Sequence, residues 1–401
     1  MRLVVTIYEE TFDAALRAIR ELRDGDMVEL RAEKLGAIDL QAVRAATSKP
    51  IILTHRGMSV DDATIGALDA GIDFVDVEWR EGLRIDAPRE RVVLSHHDYE
   101  GVSGDLDAMR TFGCAHTKLA VTPKTLDENQ TLLRSIVPGV TVIGMGERGL
   151  YSRILAPFFG SELAFVGNAA PGQLSLDRAL AIYGDQRETL RATNVFAIAG
   201  NPAGHSLSPT IHNPLFREKG VDAAYTIASF ETFDEIASAF ERGDIRGLSI
   251  TAPFKEKAFA YAESVGAQIH HNARSCGAIN TLVRMRDGCV VADNTDVDGF
   301  EMLIGKPARV AIVGAGGTAK AAIVAAQRAG AQITIFNRSS HEPLEKLRDF
   351  DGDLIIDTIP AAIELPPIRT ITASYAKSSS GLDLLHAQAI RQNELFIEAI
   401  T

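Results

Sequence analysis

Three groups of side chains in this sequence have the types and spacing to do chemistry. The first is Gly247-Leu-Ser-Ile-Thr-Ala-Pro-Phe-Lys255, followed by Asn280-Thr281 and then Asn294-Thr295-Asp296. A short apolar run ends in a hydroxyl (Thr251), a turn-forming Pro253 and a lysine. Lysine can hand a proton to an oxygen, and a carboxylate such as Asp296 can hold that lysine by a charge-assisted hydrogen bond. Hydroxyls and amides around the pair suit a small polyhydroxylated ligand. Taken singly, Lys255 reads as a solvated lysine at a helix start and Asp296 as a helix N-cap; the set, in this order, favours a site. The second group is Lys118, set in the apolar run Thr-Lys-Leu-Ala-Val, with His97 upstream. A lysine buried among apolar neighbours loses its proton more easily, and a neutral amine is what a Schiff-base nucleophile needs. A histidine within reach could move protons as general acid and base. The third group is Gly314-Ala315-Gly316-Gly317-Thr318-Ala319, a G-x-G-x-x-A turn between an apolar run (Val310–Val313) and a helical stretch. That setting is the dinucleotide fingerprint: the glycines let a pyrophosphate approach the helix N-terminus.

The elements that must position these groups are legible as periodic segments. Short apolar runs at Leu3–Ile7, Met27–Leu30, Ile51–Leu53, Phe74–Val77, Val92–Leu94, Thr117–Ala120, Val140–Ile143 and Leu163–Val166 alternate with amphipathic helical patterns. Repeated strand–helix units imply a parallel sheet, and about eight of them a closed (β/α)₈ TIM barrel. Residues 81–91 read as too short and Pro-interrupted for a full helix. Active sites in such barrels lie where strands end. Here the strand ends carry Glu29 and Arg31, His55 and Arg56, Glu78, His96 and His97, and Lys118, with Arg153 and Gln173 in later loops. Each alone is compatible with a residue at a barrel rim.

The polar stretch 184–193 reads as a linker. Beyond it, Asn194–Ala199 opens a second α/β region and leads into a hydroxyl-rich loop containing Ser206 and Ser208; the latter, before Pro209, reads locally as a helix N-cap. The strand Ile333–Phe336 ends at Asn337-Arg338-Ser339. No acidic residue stands there to bind a ribose 2′-hydroxyl, whereas Arg338 suits a 2′-phosphate, so NADP(H) is expected over NAD(H). The last stretch, 382–400, is an amphipathic helix.

At 401 residues two or three domains are expected. The net charge of −12 argues against nonspecific nucleic-acid binding and requires local Arg and Lys for any anionic substrate. Three cysteines (Cys114, Cys276, Cys289) have no metal-ligand or C-x-x-C spacing, which fits a reducing compartment and no metal site. No apolar run reaches membrane-spanning length, and the first residues enter a strand at once. A cytoplasmic protein without membrane or nucleic-acid partners is therefore expected, its partners being small-molecule substrates. A homo-oligomer stays open.

The first 190 residues resemble type I 3-dehydroquinate dehydratase. The matching pieces are Val28-Glu-Leu-Arg31, Thr54-His-Arg56, Ser95-His-His-Asp-Tyr99, Lys118, Ser152-Arg153, Gly160-Ser161 and Ala170-Pro-Gly-Gln173. The resemblance implies an imine on Lys118, His97 as proton carrier, and Glu29, Arg31, Arg56, Arg153 and Gln173 gripping the substrate. The region after 194 resembles shikimate dehydrogenase. That likeness implies Lys255 and Asp296 as the catalytic pair. It places Ser206, Ser208, Thr251, Asn280 and Gln388 on the substrate, and Gly314–Ala319 with Asn337, Arg338 and Ser339 on NADP(H). The expected domains are a barrel over 1–190, a substrate domain over 194–300 completed by 382–401, and a Rossmann NADP-binding domain over 301–381. The chain is thus expected to be a bifunctional lyase and oxidoreductase of aromatic biosynthesis that dehydrates 3-dehydroquinate and reduces the product to shikimate.

The sequence departs from these families in places. Gly57-Met-Ser-Val-Asp61 stands where a Glu-Gly-Gly segment is usual, its Glu helping the histidine; Ala169 replaces a serine; Ser249 replaces an asparagine. The region 357–381 is shortened. Two alternatives follow: only one half is active, or the chain is a non-catalytic sensor of quinate- or shikimate-pathway metabolites.

Overall fold

The computed structural model describes residues 1–55, 62–374 and 377–401. The chain divides into two compact units, Met1–Thr193 with Thr226–Ser229, and Asn194–Tyr225 with Phe230–Thr401.

The first unit is a nearly closed parallel barrel. Its strands are β1 (Arg2–Ile7), β2 (Met27–Arg31), β3 (Ile51–Thr54), β4 (Phe74–Glu78), β5 (Val92–Asp98), β6 (His116–Val121), β7 (Val140–Gly144) and β8 (Leu163–Val166). They follow one another in space as β7-β6-β5-β4-β3-β2-β1-β8. Helices join the strands, except that β4 and β5 are linked through a single 3₁₀ turn, Arg89–Arg91, as the Pro-interrupted stretch implied. Helix starts are marked by side-chain caps at Thr11, Asp39 and Ser175, and at Thr125 by a capping box with Glu128; each cap is worth about 1 kcal/mol.

Side chains alternate along a strand, so residues two apart share a face. Inside the barrel Val4, Met27, Ile52, Val93, Leu163 and Phe165 form an apolar layer, with Phe74 and Ile143 against it. Two residues further along β1 to β5 stand Thr6, Glu29, Thr54, Asp76 and Ser95. With Lys118 of β6 they form a polar layer on top of the apolar one, tied together by hydrogen bonds and ion pairs.

The second unit has two lobes. The first is built on a six-stranded mixed sheet of β9 (Asn194–Gly200), β10 (Ala223–Ser229, of which Ala223–Tyr225 fall in this unit), β11 (Gly247–Ile250), β12 (Gln268–Ile269), β13 (Thr281–Arg284) and β14 (Val290–Asp293), in the order β10-β9-β11-β13-β14-β12. The second lobe is a parallel sheet of β15 (Arg309–Val313), β16 (Gln332–Phe336), β17 (Leu354–Asp357) and β18 (Thr370–Thr372), in the order β16-β15-β17-β18. The helix Gly317–Arg328 packs its alanine-rich face on this sheet, in a core with Val310, Ile312, Leu354 and Ile356. The final helix, Ser379–Glu398, returns to the first lobe, where Phe396 stacks on Phe196 with ring centroids 4.7 Å apart. Among the described residues no helix is long and apolar enough to cross a membrane.

Candidate active sites

The polar layer of the barrel is centred on Lys118, which is 2% exposed. Its ammonium is ion-paired with Asp76, lies 3.6 Å from Glu29 Oε1 and sits 4.6 Å from the centre of the Phe165 ring. Burial is as expected, but the apolar surroundings are not: two carboxylates compensate the buried charge. Glu29 accepts from Thr6 Oγ1 at 2.7 Å and Thr54 Oγ1 at 2.9 Å, and Asp76 accepts from Ser95 Oγ at 2.6 Å. Burial would raise the Asp76 carboxyl; the Lys118 charge, then His97 and hydrogen bonds from Lys118 and Ser95, hold it below the ordinary carboxylate value.

His97 is held at two points by Glu78. Its ring Nδ1 lies 2.6 Å from Oε2, and its backbone N–H donates to Oε1 at 2.8 Å. His96, by contrast, packs edge-on against Trp79. Gln173 donates to Thr6 Oγ1 at 3.1 Å and accepts from the Ala169 N–H, so it joins the polar layer through Thr6. Arg31 is engaged by Glu33 and lies over the Tyr8 ring. Arg153 is enclosed beside Tyr183; its Nε donates to the Gly144 carbonyl at 2.8 Å, and burial lowers its guanidinium to about 10. Arg56 lies outside the described residues. Asp76 is the residue that sequence reasoning missed. It lies two before Glu78 in Phe-Val-Asp-Val-Glu, on the same strand face, with nothing local to mark it as a partner of Lys118.

In the second unit, Lys255 opens the helix Lys255–Ser264 and Asp296 opens the helix Asp296–Ile304. Both are buried, at 9% and 8% exposure, which sets aside the solvated-lysine reading. Asp296 is not an N-cap, since Thr295 holds that position. Lys255 Nζ donates to Asp296 Oδ2 at 2.5 Å and to Thr318 Oγ1 at 2.8 Å. The other oxygen of Asp296 accepts from Asn280 Nδ2 at 2.8 Å, while Asn280 Oδ1 accepts the Thr295 N–H at 2.8 Å. Ser206 and Ser208 share a hydrogen bond of 3.1 Å; Ser208 begins its helix and makes no capping bond. Ser206, Ser208, Thr251, Lys255, Asn280, Asp296 and Gln388 all line one cavity of about 470 Å³, together with Thr318, Thr358, Ile359 and Pro360 from the second lobe.

Into the wall of this cavity runs a network that sequence reasoning did not anticipate, with Ser249 and Gln392 among the lining residues. Tyr225 donates to Ser249, Ser249 donates to Gln392 Oε1 at 2.8 Å, and Gln392 Nε2 donates to the Asn280 carbonyl and to Thr281 Oγ1. Thus Gln392 of the last helix meets the shorter Ser249 and holds Asn280 and Thr281 where β13 begins.

The G-x-G-x-x-A turn is shaped to receive a dinucleotide. Gly314 has φ +113°, and a side chain there would meet Thr358 Oγ1 at 2.4 Å. A side chain on Gly316 would point into open space, and one on Gly317 would meet Lys255 at 3.0 Å. Asn337 uses its Oδ1 to accept the N–H groups of Ser339, Ser340 and His341, which shapes the loop that presents the exposed Arg338 and Ser339. After β17 the loop is fastened by Lys377, whose Nζ donates to Asp357, Ile359 O and Ala361 O, each at 2.7 Å.

Residues 3–189 match the family model of type I 3-dehydroquinase, and residues 198–282 that of the shikimate dehydrogenase substrate binding domain. The chain thus carries a type I 3-dehydroquinase match followed by a shikimate dehydrogenase substrate binding match. The bifunctional 3-dehydroquinate dehydratase/shikimate dehydrogenase, chloroplastic, of Arabidopsis thaliana is 29% identical over 385 residues, covering 82% of this chain and 63% of that protein. This chain therefore spans less than two thirds of that relative's length. The shikimate biosynthesis protein AroDE of Chlamydia pneumoniae is 27% identical over 416 residues, covering 91% of this chain and 85% of its own. The solved dehydroquinate dehydratase and shikimate dehydrogenase from S. pombe AroM aligns over 98% of this chain and 95% of its own chain, with 23% identity and a TM-score of 0.40.

Proposed function

We propose that the chain catalyses two consecutive reactions of shikimate biosynthesis: Schiff-base dehydration of 3-dehydroquinate, then NADPH-dependent reduction of 3-dehydroshikimate to shikimate. The observation that carries this reading is that each family half keeps a complete lysine-centred cluster, Lys118 with Glu29 and Asp76, and Lys255 with Asp296 and Asn280. In this reading residues 1–190 are the dehydratase, 194–300 with 382–401 bind shikimate, and 301–381 bind NADP(H). The setting is cytoplasmic.

In the dehydratase, the resting Lys118–Asp76 ion pair stores the amine as ammonium. Substrate entry displaces that pair, the ammonium leaving its proton on Asp76, and the amine so formed adds to the ketone and loses water to form an imine. The imine withdraws electrons from the neighbouring carbon. Glu78 holds His97 through Nδ1, and the ring takes the proton at Nε2 and returns it to the departing hydroxyl. Glu29, Arg31, Arg56, Arg153 and Gln173 grip the carboxylate and hydroxyls, Arg31 exchanging Glu33 for the substrate carboxylate.

In the reductase, Ser206, Ser208, Thr251, Asn280 and Gln388 orient the polyhydroxylated ring. Lys255 delivers a proton to the ketone oxygen, and Asp296, itself fixed by Asn280, keeps Nζ in place. NADPH, when bound, supplies the hydride. The residues present fit it: Gly314–Ala319 leave space beside a helix N-terminus, and Arg338 faces solvent where a 2′-phosphate is expected.

The test supplies purified protein with 3-dehydroquinate and NADPH and follows enone and NADPH absorbance together. NADPH consumption from 3-dehydroquinate alone supports both activities. Enone accumulation without NADPH loss leaves only the dehydratase, the reading favoured by the short four-stranded second lobe. No change in either signal, with added 3-dehydroshikimate also unreduced, overturns both in favour of a sensor.

A further inference from the structure

Lys255 makes a contact that its pairing with Asp296 does not require. Its Nζ donates to the hydroxyl of Thr318, the second residue of the helix Gly317–Arg328. The contact is not incidental to the side chain's length. The whole Lys255 stem rests on this helix start, since a side chain on Gly317 would lie 3.0 Å from both Cβ and Cδ of Lys255. A second pair follows the same junction, Lys320 Nζ to Glu256 Oε1 at 2.6 Å. One residue thus touches both the proposed proton donor and the turn proposed to hold the pyrophosphate.

A hydroxyl has one hydrogen to give and two lone pairs to receive with. Thr318 Oγ1 already receives from Nζ, so its own hydrogen is available for an acceptor placed at the turn. Chained hydrogen bonds polarise one another, and an anionic acceptor at the far end makes the hydroxyl oxygen a better acceptor at the near end. From this geometry we infer that Thr318 is a positioning residue through which occupancy of the dinucleotide turn tightens the hold on Lys255. The lysine, already paired with Asp296, would be held more firmly for proton delivery when the hydride source is in place. This rests on the reductase reading given above.

The titratable groups around Lys255 are Asp296 and the Cys276 thiol, with the Glu256–Lys320 pair alongside; His205 lines the same cavity. Burial, then the Asp296 charge, pushes Cys276 up to about 12, so it stays neutral and does not compete for the proton.

The probe is 2′-phospho-ADP-ribose, which carries the pyrophosphate and lacks the nicotinamide, so that it does not cover Lys255 itself. Full-length protein is acetylated at constant pH with limiting acetic anhydride, and the Lys255 peptide is quantified by mass spectrometry with and without the probe. Binding of the probe is measured separately by calorimetry. In the unaltered protein and in Thr318→Ser, which keeps the hydroxyl, the probe is expected to slow Lys255 acetylation about fivefold or more. In Thr318→Val, of nearly the same shape, it is expected to slow it less than about twofold, with kcat for shikimate oxidation down about tenfold and KM for shikimate little changed. Equal protection in Thr318→Val and the unaltered protein overturns the inference alone. Probe that binds without changing Lys255 reactivity in any form does the same. Failure of the probe to bind the unaltered protein overturns the dinucleotide reading, and the inference with it.

Discussion

Glu78 holds His97 by both of its oxygens, one on the ring nitrogen and one on the backbone amide. This carboxylate belongs to strand β4, a rigid element, whereas the Glu-Gly-Gly glutamate usual in the family is absent from the sequence. Glu78→Gln keeps the size but no longer stabilises an imidazolium or fixes one tautomer. It is expected to lower kcat for dehydration about 10²-fold, leaving reduction of added 3-dehydroshikimate unchanged. Steady-state assays of the two half-reactions on one preparation check this.

The two lysines separate the activities. Lys118→Ala is expected to reduce dehydration at least about 10⁴-fold and to abolish trapping of 3-dehydroquinate by borohydride on the Lys118 peptide. Lys255→Ala is expected to cost about 10²-fold or more in reduction alone. Loss of both activities in either single variant would contradict the assignment of separate sites.

Arg338 faces solvent in a loop whose shape Asn337 maintains. Arg338→Ala is expected to raise KM for NADPH about tenfold or more and to leave KM for NADH unchanged, because only the former carries a 2′-phosphate. A proportional loss with both cofactors would remove Arg338 from phosphate recognition.

His212 is enclosed against Tyr225, with ring centroids 4.3 Å apart, and burial lowers it to about 3. The unfolded chain therefore binds a proton at this position below about pH 6.5 while the folded one does not. Stability is complete above that value and falls with pH down to about 3. Between pH 7.5 and pH 4.5 this one group is expected to remove about 2–3 kcal/mol, on the basis of 1.36 kcal/mol per pH unit. Urea unfolding of His212→Phe should show that slope reduced; an unchanged slope would mean that the ring is protonated in the folded protein.

Lys377 neutralises Asp357, which is 2% exposed, and ties down the loop that lines the cavity. Lys377→Met leaves a buried carboxylate without its cation and is expected to cost about 3–5 kcal/mol. Adding Asp357→Asn should restore part of that loss, and denaturant titrations of the single and double variants measure the coupling.

Much of this architecture is legible in the sequence because it is periodic. The eight barrel runs, the missing helix around Pro88 and the strand–turn–helix at Gly314 all announce themselves within about a dozen residues. Lys118 is legible because a charge interrupts an apolar run, and Lys255, Asn280 and Asp296 because they follow one another in recognisable short motifs. What escaped is what depends on distant partners. Asp76 looks like any polar residue of an alternating strand until β6 brings Lys118 beside it. Gln392 meets Ser249 from 143 positions away, and Thr318 meets Lys255 across 63. No local pattern encodes either meeting. The surroundings of Lys118 were misjudged for the same reason: neighbours in sequence are apolar, while neighbours across the barrel are not.

The stacking of one polar layer on one apolar layer inside the barrel has a consequence for how this half can change over evolutionary time. Sense of direction along every strand is shared between scaffold and chemistry, so a one-residue deletion within β2, say, would turn Glu29 outward and expose what Met27 now hides. Such a lesion would erase folding and turnover together and be purged at once. Lengthening or rewriting the connections above the strands leaves that alternation untouched. The loops are therefore the part of the barrel free to drift.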